Sequence, residues 1–176
     1  YSSSTSPTYI TGTGTLTVTG GIAPDVDGAW TSLADGAWSQ NGNWQNSQAA
    51  KGADKTATFN QSTGATITVD DSRTIGNLVF SGADYRLAGS TLTLASTSGT
   101  SSISVAASRS ASVFTALTGS VGLQKTGDGT LLLNATNTYS GSTTVTAGTL
   151  RVTADTSAGV TIPNAGFESP VFGTNA

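Results

Sequence analysis

Short stretches in which apolar and polar residues alternate follow one another along most of this chain. The clearest alternation spans residues 10–18, where every second position is a threonine. The positions between the threonines are Ile10, Gly12, Gly14, Leu16 and Val18. A period of two is typical of a β-strand that buries one face. The pattern therefore predicts one strand inside an N-terminal extension at residues 1–22, where it is a candidate subunit-interface strand.

Further short runs of Thr, Val, Ile and Leu, which favour extended backbone, occupy the middle of the chain. Turn residues separate each run from the next. We predict strands at 56–60, 65–69, 75–80, 85–87, 90–94 and 101–106. Because no stretch shows a sustained helical period, the chain is predicted to be all-β.

The most regular part of the chain is the segment 123–152, in which Thr-rich and apolar strands alternate with glycine corners. Its pattern is defined by Leu123, Lys125, Gly127, Gly129, Leu131, Leu133, Tyr139, Gly141, Val145, Gly148, Leu150 and Val152. Glycine suits corners because it adopts positive φ without strain. Each strand is too short to bury a core alone. Such units must stack on their neighbours, as solenoid repeats do.

This segment resembles the autotransporter-associated β-strand repeat. The shared pattern is Leu-x-Lys-x-Gly-x-Gly-Thr-Leu-x-Leu, then Asn-x-Tyr-x-Gly-x-Thr-x-Val, then Gly-Thr-Leu-x-Val. The resemblance implies a secreted bacterial surface protein built as a parallel β-helix, and it implies no reaction. We therefore predict a single-stranded parallel β-helix, or β-solenoid, over residues 23–162, with a C-terminal tail at 163–176. A β-sandwich is the alternative, because it also uses short strands and tight turns.

The segment 23–50 holds all three tryptophans of the chain, Trp30, Trp38 and Trp44, among turn residues. One interpretation is a cap, since a solenoid needs its terminal turn closed. The other is a glycan-stacking platform, in which indole faces bind sugar rings. We favour the cap, because tryptophan is more often packed than exposed.

The composition excludes several classes of catalytic and metal-binding site. The chain has no His and no Cys, so Ser–His–Asp triads and thiolate nucleophiles are absent, and zinc lacks its usual ligands. Asp25 with Asp27 and Asp70 with Asp71 are the carboxylate pairs that a glycosidase could use. Asp70 and Asp71 are adjacent, and adjacent residues of a strand point to opposite faces. We predict no enzymatic activity, no cofactor and no metal site.

The charge and the hydropathy of the chain limit the classes of partner that it can bind. The net charge is −3, only 10% of residues are charged, and no basic cluster exists, which argues against a nucleic-acid partner. No apolar run has the length of a membrane span, so we predict no membrane insertion. The chain has no Met and begins with Tyr1. We expect a processed protein whose signal peptide has been removed, located outside the cell or on the bacterial surface.

These observations predict a structural subunit of an extracellular bacterial surface fibre. Copies of the chain would assemble head-to-tail into a homopolymer, with a terminal strand of one copy added to the open end of the next. The alternatives are a glycan-binding adhesin and an autotransporter passenger segment. A polysaccharide-cleaving β-helix is the weakest hypothesis, because the sequence shows no acidic cleft.

Overall fold

The computed structural model describes residues 24–153 of the 176-residue chain. The strand predicted at residues 10–18 and the tail predicted at 163–176 lie outside the described residues. The described part is a parallel β-solenoid of about five turns. Every ladder between two named strands in this part is parallel. The prediction of a parallel β-helix is confirmed, and the β-sandwich alternative is wrong.

Each turn of the solenoid contributes to up to three faces. The first face contains β1 (Gly28–Trp30), the second half of β3 (Gly52–Phe59), the second half of β5 (Arg73–Phe80), β8 (Thr100–Val105), β11 (Gly122–Thr126) and β13 (Thr143–Val145). Spatial order follows chain order, because each turn pairs with the turn before it and the turn after it.

The second face is equally regular. It contains β2 (Gly36–Ala37), β4 (Thr66–Val69), β6 (Tyr85–Gly89), β9 (Ser110–Val113), β12 (Thr130–Leu133) and β14 (Thr149–Val152). The third face is shorter and is formed by the start of β5 with β7 (Leu92–Leu94) and β10 (Leu117–Thr118). Two short 3-10 helices, Asn41–Asn43 and Gln45–Ser47, lie in the first turn.

The core is a set of columns that run along the solenoid axis. On the second face the inward positions of successive turns are Ile67, Leu87, Val113 and Leu133. All four side chains are buried. A single strand buries only two or three side chains, so the hydrophobic gain is made between turns and not within one.

A bulge in β3 interrupts this regular stacking. The register between β3 and β5 shifts between Gly52 and Thr56, and Asp54 in the bulge has a φ of 60°. The Asp54 carboxylate accepts hydrogen bonds from the backbone N–H of Thr97 at 2.9 Å and from the hydroxyls of Thr97 and Ser96, each at 2.7 Å. These hydrogen bonds, that from the Thr97 hydroxyl first, lower the pKa of Asp54.

Truncating a core side chain should lower the free energy of unfolding far more than truncating a surface side chain. Leu87 is fully buried, whereas Leu33 is 59% exposed. We expect Leu87→Ala to lower the free energy of unfolding by about 2–5 kcal/mol, because it removes buried methyl groups and leaves a cavity. The control Leu33→Ala should change it by no more than about 0.5 kcal/mol. Urea unfolding followed by circular dichroism measures both, and equal losses would contradict the assigned core.

The bulge should make stability depend on pH. The contribution of Asp54 is present above its unfolded pKa, near the ordinary value of 3.8, and is lost as the pH falls through the lower folded pKa. Asp54→Asn removes this titration but keeps a residue that tolerates positive φ. We expect the urea midpoint of the wild type to fall more steeply on acidification than that of the variant. Parallel pH profiles would show that these hydrogen bonds contribute nothing to folding.

Candidate functional site

An aromatic cluster lies at the N-terminal end of the described solenoid. Trp30, Trp38 and Trp44 surround Phe59, and their ring centroids lie 5.7–6.4 Å from the Phe59 centroid. Trp44 is 5.3 Å from Trp30 in an edge-to-face arrangement and 5.0 Å from Trp38. The cluster continues into the next turn through Phe80, which stacks on Phe59 at 4.9 Å. Such geometries add to the burial energy of the rings.

The irregular first turn is what brings the indoles together. Trp38 Nε1 donates to the carbonyl of Ala50 at 2.9 Å, and Trp44 Nε1 donates to the carbonyl of Trp38 at 2.7 Å. Trp30 and Trp44 also form an isolated antiparallel bridge. The two short 3-10 helices lie on either side of Trp44 in the chain. Two of the three buried indole N–H groups are hydrogen-bonded, and that of Trp30 has no partner among the described residues.

The burial of these rings bears on the two interpretations made from the sequence. Trp30 and Trp38 are fully buried, and Trp44 is 2% exposed. Stacking on a sugar requires an open ring face, and this arrangement offers none. The geometry therefore favours packing at the end of the solenoid over glycan stacking.

The segment 123–152 forms the last two turns that the structure describes. Leu123, Leu131 and Leu133 point inward and are buried, as their alternation predicts. Tyr139 is partly buried, and its hydroxyl lies 2.6 Å from Thr143 Oγ1. Gly127 and Gly148 have φ values of 70° and 69°. They stack so closely that a Cβ at Gly148 would lie 2.5 Å from the Gly127 carbonyl oxygen.

Lys125 is the unexpected member of this segment, because its whole side chain points into the core and is fully buried. Its Nζ donates to the carbonyls of Thr126 at 2.7 Å, Gly127 at 2.6 Å and Ala147 at 3.1 Å. Burial lowers the pKa of Lys125, and the nearby Asp128 opposes that shift. The spacing from Leu123 gives Lys125 an inward position, and this parity is the signal that could have predicted its burial.

Three of the four aspartates considered as catalytic candidates have structural partners. Asp70 accepts hydrogen bonds from the backbone N–H and the hydroxyl of Ser39. Burial acts to raise the pKa of Asp70, but these hydrogen bonds outweigh burial and the pKa is lowered. Asp71 forms a salt bridge with Arg73 at 2.8 Å. Asp27 accepts from the backbone N–H of Thr56 at 2.7 Å. Each of these three carboxylates is therefore engaged by a neighbouring group of the scaffold.

Asp27 belongs to a set of corner carboxylates that sequence reasoning missed. Asp35 accepts from the backbone N–H of Thr66, 31 residues later, and Asp84 accepts from that of Ser110, 26 residues later. The Asp27–Thr56 bond spans 29 residues. Each bond joins one turn to the next. The only sequence signal is an aspartate just before a strand, which is also common in ordinary turns.

One shallow polar groove lies on the second face, with a volume of about 440 Å³. Its lining includes Asp35, Thr66, Asp84, Arg86, Ser110 and Ser112. Arg86 is held in place over the ring of Phe114, 3.8 Å from its centroid. Within residues 24–153, no three His, Cys, Asp or Glu side chains gather closely enough to hold a metal ion. The same residues contain no helix with the length and apolar character needed to cross a membrane.

The C-terminal end of the described solenoid differs from the N-terminal end. β13 and β14 are the outermost strands of their sheets among the described residues. The inward side chains of earlier turns are buried, but Val145 and Leu150 are only partly buried and Val152 is 39% exposed. Among residues 24–153, these two strands thus form the C-terminal edge of the solenoid.

A family model described as a passenger-associated-transport-repeat matches residues 123–152. These residues are the last two described turns, with β11 to β14. This segment of the chain is therefore similar to a passenger-associated transport repeat. The resemblance to the autotransporter-associated repeat is therefore confirmed.

The chain is also similar to a named bacterial surface protein. It is 38% identical over 97 residues to the "Adhesin BmaC autotransporter" of Brucella suis biovar 1 (strain 1330). The alignment covers 55% of this chain and 3% of that protein. The chain thus corresponds to a small part of a much longer relative. No solved structure matches the chain.

Removal of one indole should weaken the end of the solenoid. We expect Trp44→Ala to lower the free energy of unfolding by about 3–5 kcal/mol, since it empties a fully packed site. Trp44→Phe keeps an aromatic ring and removes only the Nε1 hydrogen bond to the Trp38 carbonyl. It should therefore lower the free energy of unfolding by less than Trp44→Ala does. The native wild type should also resist fluorescence quenching by acrylamide. Strong quenching of the native protein, or an unaffected Trp44→Ala variant, would contradict the buried cluster.

Proposed function

We propose that this chain is a segment of an autotransporter passenger and that the whole passenger acts in adhesion at the bacterial surface. The observation that carries the proposal is the transport repeat at residues 123–152, folded as consecutive turns of a β-solenoid. The similarity to an autotransporter whose name describes an adhesin supports it. The segment's own role is to extend a stiff rod that carries other parts of the passenger away from the cell.

The side-chain chemistry supports a role without catalysis. Asp27, Asp70 and Asp71, which were the catalytic candidates with described partners, hold turns together or pair with Arg73. The buried amine of Lys125 is bound to three carbonyls and faces no cleft. A solenoid whose polar groups maintain its own stacking serves as a scaffold.

The sequence suggested the tryptophans as a glycan-binding site. The polar groove on the second face is a better candidate for such a site. Arg86, Ser110 and Ser112 line this groove and carry hydrogen-bonding groups. Sugar recognition relies on such directional hydrogen bonds. A glycan partner is therefore proposed for the groove and not for the buried indoles.

Head-to-tail fibre assembly is the second candidate function. The observation that favours it is the position of β13 and β14 as the outermost described strands of their sheets, where Val152 is 39% exposed. A strand from another copy could extend this edge in parallel register, and such a contact would not close on itself. The donor strand predicted at residues 10–18 lies outside the described residues.

The passenger proposal predicts surface display that depends on the folded repeat. The chain is fused before the translocation barrel of an autotransporter in a Gram-negative host, and protease resistance is measured on intact cells. Leu131→Asp places a charge in the core, because Leu131 is buried, and should lower the protease-resistant surface fraction severalfold. The adjacent Leu132→Asp is the control, since Leu132 points outward from the same strand. A wild-type fusion that never reaches the surface would contradict the proposal.

The fibre candidate is tested by negative-stain electron microscopy of the purified chain. Fibres that disappear when residues 1–19 are deleted, while circular dichroism stays unchanged, would support strand addition by the predicted N-terminal strand. Single particles at all protein concentrations, or fibres that persist after the deletion, would overturn it.

A further inference from the structure

Lys125 interrupts a column of apolar side chains on the first face. The inward positions of successive turns are Ala57, Leu78, Ile103, Lys125 and Val145. Lys125 is as completely buried as its apolar neighbours. A buried ammonium is costly unless all its donors are bound, because it has lost its water. The three donors of Lys125 Nζ meet three carbonyl oxygens, so the requirement is met.

The three acceptors belong to two different turns. Thr126 and Gly127 lie at the corner between β11 and β12, directly after Lys125 in the chain. Ala147 lies at the corner between β13 and β14, 22 residues away. The ammonium is therefore fully bound only when the β13–β14 turn is stacked in its correct position.

We propose that Lys125 determines the register in which the β13–β14 turn stacks on the β11–β12 turn. A strand slips most readily by two residues, because such a slip keeps every side chain on its original face. Two residues correspond to about 6.6 Å along a strand. A slip of that size carries the Ala147 carbonyl out of hydrogen-bond reach and leaves a buried N–H of the ammonium unpaired.

The apolar pattern on this face discriminates weakly against the same slip. Leu123 now lies opposite Thr143, and a slip of two residues would place it opposite Val145, which is at least as apolar. Aliphatic columns tolerate such exchanges because their contacts are not directional. The directional bonds of Lys125 supply the discrimination that the column lacks.

Register and stability should therefore respond differently to the loss of this amine. Replacing a buried charged group by an apolar one of similar volume is often neutral or stabilising. Lys125→Met should leave the unfolding midpoint equal to that of the wild type or higher, while making the stacking of the last turn less specific. A purely structural role would change stability and leave the register alone.

Engineered disulfides report the register directly, because the chain contains no native cysteine. Gln124 and Thr144 are register partners with outward side chains, so a cysteine pair at these positions reports the native stacking. A second pair at 124 and 146 reports the slip that sets Leu123 opposite Val145, since in the native register its Cα atoms lie beyond the reach of a disulfide. Each pair is oxidised during refolding of the full chain, and the cross-linked fraction is measured.

We expect Lys125→Met to raise the yield of the 124–146 cross-link by roughly tenfold or more, the ratio that one lost charge-assisted hydrogen bond allows. The control Ile103→Met puts the same side chain into the same column one turn earlier and should leave the yield unchanged. A folded Lys125→Met variant with the wild-type cross-linking pattern would overturn the proposal. So would an equal rise in the Ile103→Met control.

Amine labelling tests the same contact without any substitution. Lys51 and Lys55 are partly exposed, whereas Lys125 is buried and bound. In the folded wild-type chain, an amine-specific acylating reagent should modify Lys125 at least roughly tenfold more slowly than Lys55, since reaction at Lys125 requires local opening. Equal rates would show that the ammonium is not held between the two turns and would overturn the proposal even where Lys125→Met fails to fold.

Discussion

The stacking of one short turn on the next is the interaction on which this structure depends. No strand of the described solenoid exceeds eight residues, and no turn encloses a core of its own. Both the backbone hydrogen bonds and the apolar contacts are made to the neighbouring turns, as in the columns through Leu78 and Ile103 or Leu87 and Val113. Stability in such a fold is a sum of nearest-neighbour terms.

This dependence gives the two ends of the solenoid different properties. Among the described residues no turn precedes the first one, and the cluster of Trp30, Trp38 and Trp44 around Phe59 packs at that end. The last described strands carry no such cluster, and Val152 is 39% exposed there.

Polar side chains supply the positional information that stacked aliphatic columns lack. Asp27, Asp35 and Asp84 each accept a hydrogen bond from the backbone of the following turn. Lys125 reaches from one corner to the corner of the next turn. These groups are few in a chain of low charge, and those that have described partners hold turns in place. Asp70, another of the residues that first suggested catalysis, also joins two turns through its bond from the Ser39 backbone.

The sequence by itself determined the architecture. The alternation at Leu131 and Leu133 and the corners at Gly127 and Gly148 are local patterns, and they sufficed to predict a parallel solenoid, because strand period and turn chemistry act over a few residues. Only the tertiary structure decided that the tryptophans are buried together, that Asp54 sits in a bulge and that Lys125 binds a carbonyl 22 residues away. These features depend on which residues of successive turns meet. That depends on the length of each intervening loop, which no local pattern specifies.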